Sequence, residues 1–391
     1  MTAIARVEVG RFDYELIGEF KFFKASVRPS IVVRLTDENG VQGWGQSVPI
    51  ETWTYETVES VETTLRHYLA PVILGAEPSD LAGVHARMDR AIRPSFSVGQ
   101  PLCKAAVDLA CYDLWGRQSN RSVSEILGGA RQRQIKLSWT IQSPAISEAE
   151  SQLALATTGG YDSFNIKIGY PQTPQYDLQL VQTVCNFAPG GFHWADANTS
   201  YDVETALAMA PKLADAGLRG LESPLPPNLM RGYQALKRQG ALPILMDEGI
   251  ISPVEVDEFI ALKMLDGIAM KVARCGGLWN ASRIVALLRG NNLLVFGSGL
   301  TRSGSVTGGY RASFRMGRIR YPDRPQRAAV HRRAGHDRSG IPRQWRHDPG
   351  PDRARARHYC RCPPGEIAEH RGTGLDGRVA ASEALIGYPA A

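Results

Sequence analysis

Residues 191–198, GFHWADAN, 218–225, LRGLESPL, and 242–249, LPILMDEG, each carry a short apolar run that ends on a carboxylate: Asp196, Glu222 and Asp247. The carboxylates stand 26 and 25 residues apart, and Lys271 follows 24 further on in residues 266–274, DGIAMKVAR. A strand, a helix and two short loops occupy about this many residues, since a (β/α)8 barrel of about 250 residues contains eight such units. Side chains at the carboxyl ends of successive barrel strands face one mouth. Three acids gathered there repel one another unless a divalent cation lies between them, and hard oxygen donors of this kind suit Mg2+ or Mn2+.

Working outward, the strand–helix alternation runs from about 134. Candidate strands are 134–141, 163–168, 191–196, 217–222, 242–247, 267–272 and 293–297, with helical stretches such as DVETALAMAPKLADAG (202–217) between them. The expected fold is α/β, a TIM barrel of (β/α)7β type. An open doubly wound sheet is the weaker alternative, because polar residues end nearly every strand instead of clustering at one switch point. Ahead of the barrel, residues 4–48 read as strands, with a hairpin signal at Asn39-Gly40. Residues 54–127 read as helices, and Pro101 suits a first helical turn. The expected domains are an α+β capping domain (1–130), seven barrel strands (131–301) and a tail (302–391).

The formal charge of +6 over 391 residues is unevenly spread. Residues 302–391 hold 18 Arg and no Lys against 8 acids, or +10, whereas residues 1–301 hold 27 basic and 31 acidic residues, or −4. The tail has no sustained period and is rich in Arg, Pro, Gly and His. One reading is a disordered basic tail that binds nucleic acid. The preferred reading is a frameshift. With codons chosen for the purpose, back-translation with one base dropped after the Thr301 codon can give helix-like and strand-like segments, among them PTGPGLGI. The barrel is then expected to be incomplete, and a non-catalytic product of a disrupted gene is one alternative.

The six cysteines form no CxxC pair, so neither a zinc site nor a disulfide framework is indicated. Arg6, Glu8, Arg11 and Asp13 break any apolar signal core, and no stretch reaches the roughly 18 apolar residues of a membrane span. A cytoplasmic protein is expected, with a small-molecule partner and neither nucleic acid nor membrane.

FNIKIG (164–169), WADAN (194–198), LESPL (221–225), MDEG (246–249) and MKVARCGGL (270–278), in this order, resemble the enolase superfamily. The likeness is to its mandelate racemase and muconate lactonizing branches. GWGQS (43–47) and KAAVDLACYDLWGR (104–117) resemble that family's capping domain, so the resemblance covers about residues 1–301. It implies Mg2+-dependent abstraction of a proton α to a carboxylate, by a racemase, epimerase or cycloisomerase, with dehydration of a hydroxy or sugar acid as the alternative. It also implies a homo-oligomer. Asp196, Glu222 and Asp247 match its metal ligands, with Asn198 and Glu248 as neighbours that orient them. Lys167 and Lys271 match its two facing acid/base lysines, whose pKa a nearby cation and a dry pocket are expected to lower. Asn165 stands where many relatives have a lysine and, with Ser298, Thr301 and Trp53, is expected near the substrate. Phe22, Phe23, Trp53 and Tyr55 make the capping loops aromatic, which favours a partly apolar carboxylate over a polyhydroxy acid.

Overall fold

Period-two alternation orders the second half of the chain. The computed structural model describes residues 1–15, 27–95, 98–129, 136–299 and 368–371. The first part holds strands β1 (Ile4–Arg11), β2 (Tyr14–Glu15), β3 (Val27–Arg28), β4 (Ile31–Asp37) and β5 (Gln42–Ser47). Helices α1 (Glu51–Thr54), α2 (Val58–Thr64), α3 (Ala70–Ile73), α4 (Leu81–Ala91), α5 (Pro101–Gln118) and α6 (Val123–Ile126) follow, with a π turn at Leu65–Leu69 joining α2 to α3. The parallel sheet comprises β6 (Trp139–Ile141), β7 (Phe164–Lys167), β8 (His193–Asp196), β9 (Leu221–Glu222), β10 (Ile244–Met246), β11 (Gly267–Met270) and β12 (Leu294–Gly297). Helices α7 (Ile146–Thr158), α8 (Pro174–Phe187), α9 (Val203–Asp215), α10 (Met230–Gln239), α11 (Pro253–Ala261) and α12 (Leu278–Gly290) connect them.

The seven strands lie in strict chain order, β6 to β12. A doubly wound sheet reverses direction at a switch point, whereas a sheet that never reverses curls one way, as in a barrel. The sheet is therefore a curled, partly closed barrel beneath a capping domain. The strands are shorter than expected, because the residues flanking each pairing turn into loops. Residues 302–391, and with them the reading of that segment as out of frame, lie outside the described residues except for β13 (Ala368–Arg371). That strand pairs antiparallel with β1. Thr301, Phe22 and Phe23 also lie outside the described residues.

Each strand turns alternate residues to opposite faces. Phe164, Ile166, Ala195, Ile244, Met246, Ile268 and Met270 join the helices in the main apolar core. On the other face Trp194, Leu245, Ala269 and Phe296 form a separate buried layer. Two residues further along the same face come Asp196, Asp247, Lys271 and Ser298. The aromatic layer is thus the floor on which the polar residues stand.

In the capping domain the Asn39-Gly40 hairpin forms as read, with Thr36 opposite Gln42 and Gly40 at φ +81°. Helix α5 begins at Pro101, whose missing N–H is harmless in a first turn. It lies so close to β5 that a Cβ on Gly45 would meet the Ala106 carbonyl oxygen at 1.8 Å. Glu56 is buried at the start of α5 and accepts from the Leu102 amide (2.8 Å) and the Cys103 amide (3.3 Å). Burial raises its pKa to about 7, with those two amides, the Cys103 thiol and Lys104 pulling the other way.

Two outcomes follow for urea denaturation. Gly45→Ala forces helix and strand apart and lowers stability by about 1–3 kcal/mol. The Glu56 carboxyl titrates near 4.5 when unfolded and near 7 when folded, so the folded state holds the extra proton between those values. Its contribution to stability is full below about pH 4.5 and declines as pH rises to about 7, by about 3 kcal/mol. Glu56→Gln flattens that slope, and equal slopes in the two proteins would refute the assignment.

Candidate active site

The inner face of the sheet carries the site. Parallel registers place Lys167 beside Asp196, and Asp196 beside Glu222. Asp247 lies just past β10 and Lys271 just past β11. Across the mouth the order is therefore Lys167, Asp196, Glu222, Asp247, Lys271. All three acids are buried.

Their partners differ. The Lys167 Nζ donates to Asp196 Oδ2. The Lys271 Nζ donates to Asp247 Oδ2, and the Arg274 guanidinium donates to Asp247 Oδ1 at 2.7 Å. Glu222 receives neutral donors: the Trp194 indole N–H at 2.6 Å and the Asn165 amide at 3.4 Å. Burial and the charge of Asp196 push the Glu222 carboxyl well above the usual range. Burial raises Asp247 as well, against Arg274 and Lys271. Burial opposes ionisation of Glu248 too, yet Arg274 and Lys271 outweigh it and hold its pKa at about 2.

Asn198 sits at φ +47° and Thr199 at φ +66°, in the left-handed region that asparagine tolerates better than most residues. This turn lets the Asn198 amide N–H donate to Asp196 Oδ1 (2.8 Å) and its side chain to Asp196 Oδ2 (3.0 Å) and Glu248 Oε1 (3.2 Å). Asn198 and Glu248 are thus joined in one hydrogen-bonded group with Asp196. Trp53, on α1, roofs it. The indole N–H donates to Glu248 Oε1 at 3.0 Å, and the ring covers Lys271 (4.7 Å) and Arg274 (4.8 Å). Ser298 continues the inner face past β12, its backbone N–H donating to the Met270 carbonyl oxygen at 3.0 Å. Tyr55 is exposed and at φ +50°.

The acids were expected to need a cation among them. The Lys167 ammonium pairs with Asp196, and the Lys271 ammonium and Arg274 guanidinium pair with Asp247; in this arrangement no group of three His, Cys, Asp or Glu among the described residues is placed to hold one ion. A bound cation and a dry pocket were expected to lower the lysine pKa. Burial does oppose the charge on Lys167, but Asp196, Glu222 and Asp247 outweigh it and raise that pKa. The donor set still fits a hard divalent ion. Among the described residues Glu222 has no ion-pair partner, and the buried Asn198 Oδ1, beside Asp196, has no hydrogen-bond partner.

Arg274 and Trp194 were not singled out from sequence. The signals were there: an arginine inside the apolar run VARC, and a tryptophan two residues before Asp196 on one strand face.

Residues 22–128 match the family described as Mandelate racemase / muconate lactonizing enzyme, N-terminal domain, and residues 148–313 match Enolase C-terminal domain-like. The chain belongs to the mandelate racemase/muconate lactonizing enzyme family of the enolase superfamily. It is 28% identical over 303 residues to muconate cycloisomerase 1 of Rhodococcus opacus, covering 76% of this chain and 79% of that one. It is 26% identical over 258 residues to the N-succinyl-L-Arg/Lys racemase of Bacillus cereus, covering 66% and 68%. The crystal structure of that racemase, from Bacillus cereus ATCC 14579, aligns with a TM-score of 0.74 at 24% identity, over 81% of this chain and 85% of that one. Its relatives are named cycloisomerases, racemases and epimerases, which are isomerases.

Asp247→Asn leaves Lys271 and Arg274 without their shared buried carboxylate. In metal-free protein it should lower unfolding stability by about 3–5 kcal/mol. A loss below about 1 kcal/mol in denaturant titrations would show that the pairing is not a structural requirement.

Proposed function

We propose that this chain isomerises a small carboxylate by removing and returning the proton α to the carboxylate. One observation carries the reading: a lysine on either side of three adjacent acidic strand ends, all on one inner face. Asp196, Glu222 and Asp247 would hold Mg2+ (or Mn2+), with Asn198 and Glu248 fixing Asp196 and the roof. When bound, the ion supplies positive charge for the negative charge that develops on the substrate carboxylate.

The residues do the rest. A proton leaves the α-carbon for the Nζ of one lysine, and the opposite lysine returns a proton from its Nζ. Transfer from opposite faces inverts the centre, so racemisation or epimerisation is the primary reading. Trp53 covers Lys271 and excludes water from that side, and its ring favours a partly apolar substrate. Asn165 donates to Glu222 and so acts on the substrate through that carboxylate. Cycloisomerisation is the second reading, favoured by the likeness to muconate cycloisomerase 1.

Calorimetry should register Mg2+ uptake by the full chain that is lost in Glu222→Gln. In D2O, both enantiomers of an N-succinyl amino acid should gain α-deuterium. Lys167→Ala and Lys271→Ala should each lower exchange of one enantiomer by about 100- to 10,000-fold and leave the other. Uptake of the ion together with exchange from neither enantiomer would remove the racemase reading.

A further inference from the structure

We infer that Asp108, on the capping helix α5, is a positioning residue for the Lys271 side of the site; this rests on the acid/base reading above. Lys271 begins the seven residues, 271–277, that join β11 to α12. Helix α12 starts after Gly277, which has no side chain to cap the first amides. Such amides need an acceptor from elsewhere. Asp108 supplies it across the domain boundary: Oδ1 accepts from the Leu278 amide at 2.5 Å and Oδ2 from the Trp279 amide at 3.2 Å. Asp108 is fully buried, and His85 Nε2 lies 2.9 Å from the same Oδ2.

Gly277 is part of the device. It sits at φ +119°, and a Cβ there would lie 2.2 Å from the Asp108 carboxyl carbon. The carboxylate therefore occupies the space that any other residue would fill.

The joining segment transmits the constraint because it is internally stitched. The Gly277 amide donates to Val272, Gly276 to Ala273 and Arg274 to Lys271, and the Asn280 side chain donates to the Cys275 carbonyl at 2.9 Å. Every residue from Val272 to Leu278 is buried. Fixing the first turn of α12 thus fixes the backbone from which Lys271 and Arg274 reach Asp247. The Lys167 side has a different anchor. There the Gly169 amide donates to Asp177 Oδ2 at 2.9 Å, from its own helix α8.

This asymmetry gives a test that a general loss of stability would not mimic. In Asp108→Asn, α-deuterium exchange of N-succinyl-arginine should fall about tenfold or more for the enantiomer whose exchange Lys271→Ala abolishes. Exchange of the other enantiomer should change less than about twofold, and Asp108→Ala should be more severe than Asp108→Asn. Equal slowing of both enantiomers, or no slowing, overturns the proposal. If wild-type protein exchanges neither enantiomer, the functional reading fails on its own, and amide hydrogen exchange of the full chain decides the positioning claim. Asp108→Asn must then speed exchange across residues 272–279 and leave 168–173 unaltered; uniform or absent change overturns it. If Asp108→Asn does not fold, His85→Gln, which keeps Asp108 in place, must produce the same selective pattern in weaker form.

Discussion

Balance of charge on one buried strand face is the constraint on which the structure rests. A carboxylate or ammonium left alone in the interior is disfavoured by several kcal/mol. Asp196 and Asp247 are tolerated there because Lys167, Lys271 and Arg274 meet them. Strand order makes the meeting automatic, since bases on β7 and just past β11 bracket acids from the three strands between. Register is equally binding. A one-residue slip of β8 would turn Asp196 into the apolar core and His193 and Ala195 onto the inner face. The floor of Trp194, Leu245, Ala269 and Phe296 resists such a slip, because it must stay dry beneath the charges.

Helix α5 ties the capping domain to this balance. Its first turn receives Glu56, which lies three residues beyond Trp53 and so anchors the segment that roofs Lys271. Its middle sends Asp108 to the first turn of α12. Its flank lies against β5, where glycine leaves room for the helix backbone. One helix thus holds both the segment above Lys271 and the segment leading away from it.

Much of this was legible in the sequence because the determining signals are local. Apolar runs ending on Asp196, Glu222 and Asp247 mark strand tips, and Asn39-Gly40 and Pro101 mark a turn and a helix start through backbone preferences alone. Trp53 was placed near the mouth by the family resemblance, and it lies there on the short helix α1. The pairings were not legible. That Asp247 accepts from Lys271 and Arg274 depends on side-chain reach between strands, across 24 and 27 residues of sequence. The contact of Asp108 with Leu278 spans 170 residues, and no periodicity encodes it. The reason for Gly277 likewise lies in a carboxylate from another domain, which no local signal carries.

The two flanks of the site are chemically alike but mechanically unlike. Lys167 keeps 21% of its side chain exposed and shares Asp196 with neutral donors from Asn198. Lys271 keeps 4%, competes with Arg274 for Asp247, lies under Trp53 and hangs from a segment fastened to the capping domain. An ammonium in the first setting can change partners by rotating into adjacent space. In the second it can do so only if Arg274 takes over Asp247 or the roof moves. Freedom on one flank and constraint on the other therefore come from a single design choice, in which the capping domain grips the barrel on the Lys271 side of the mouth.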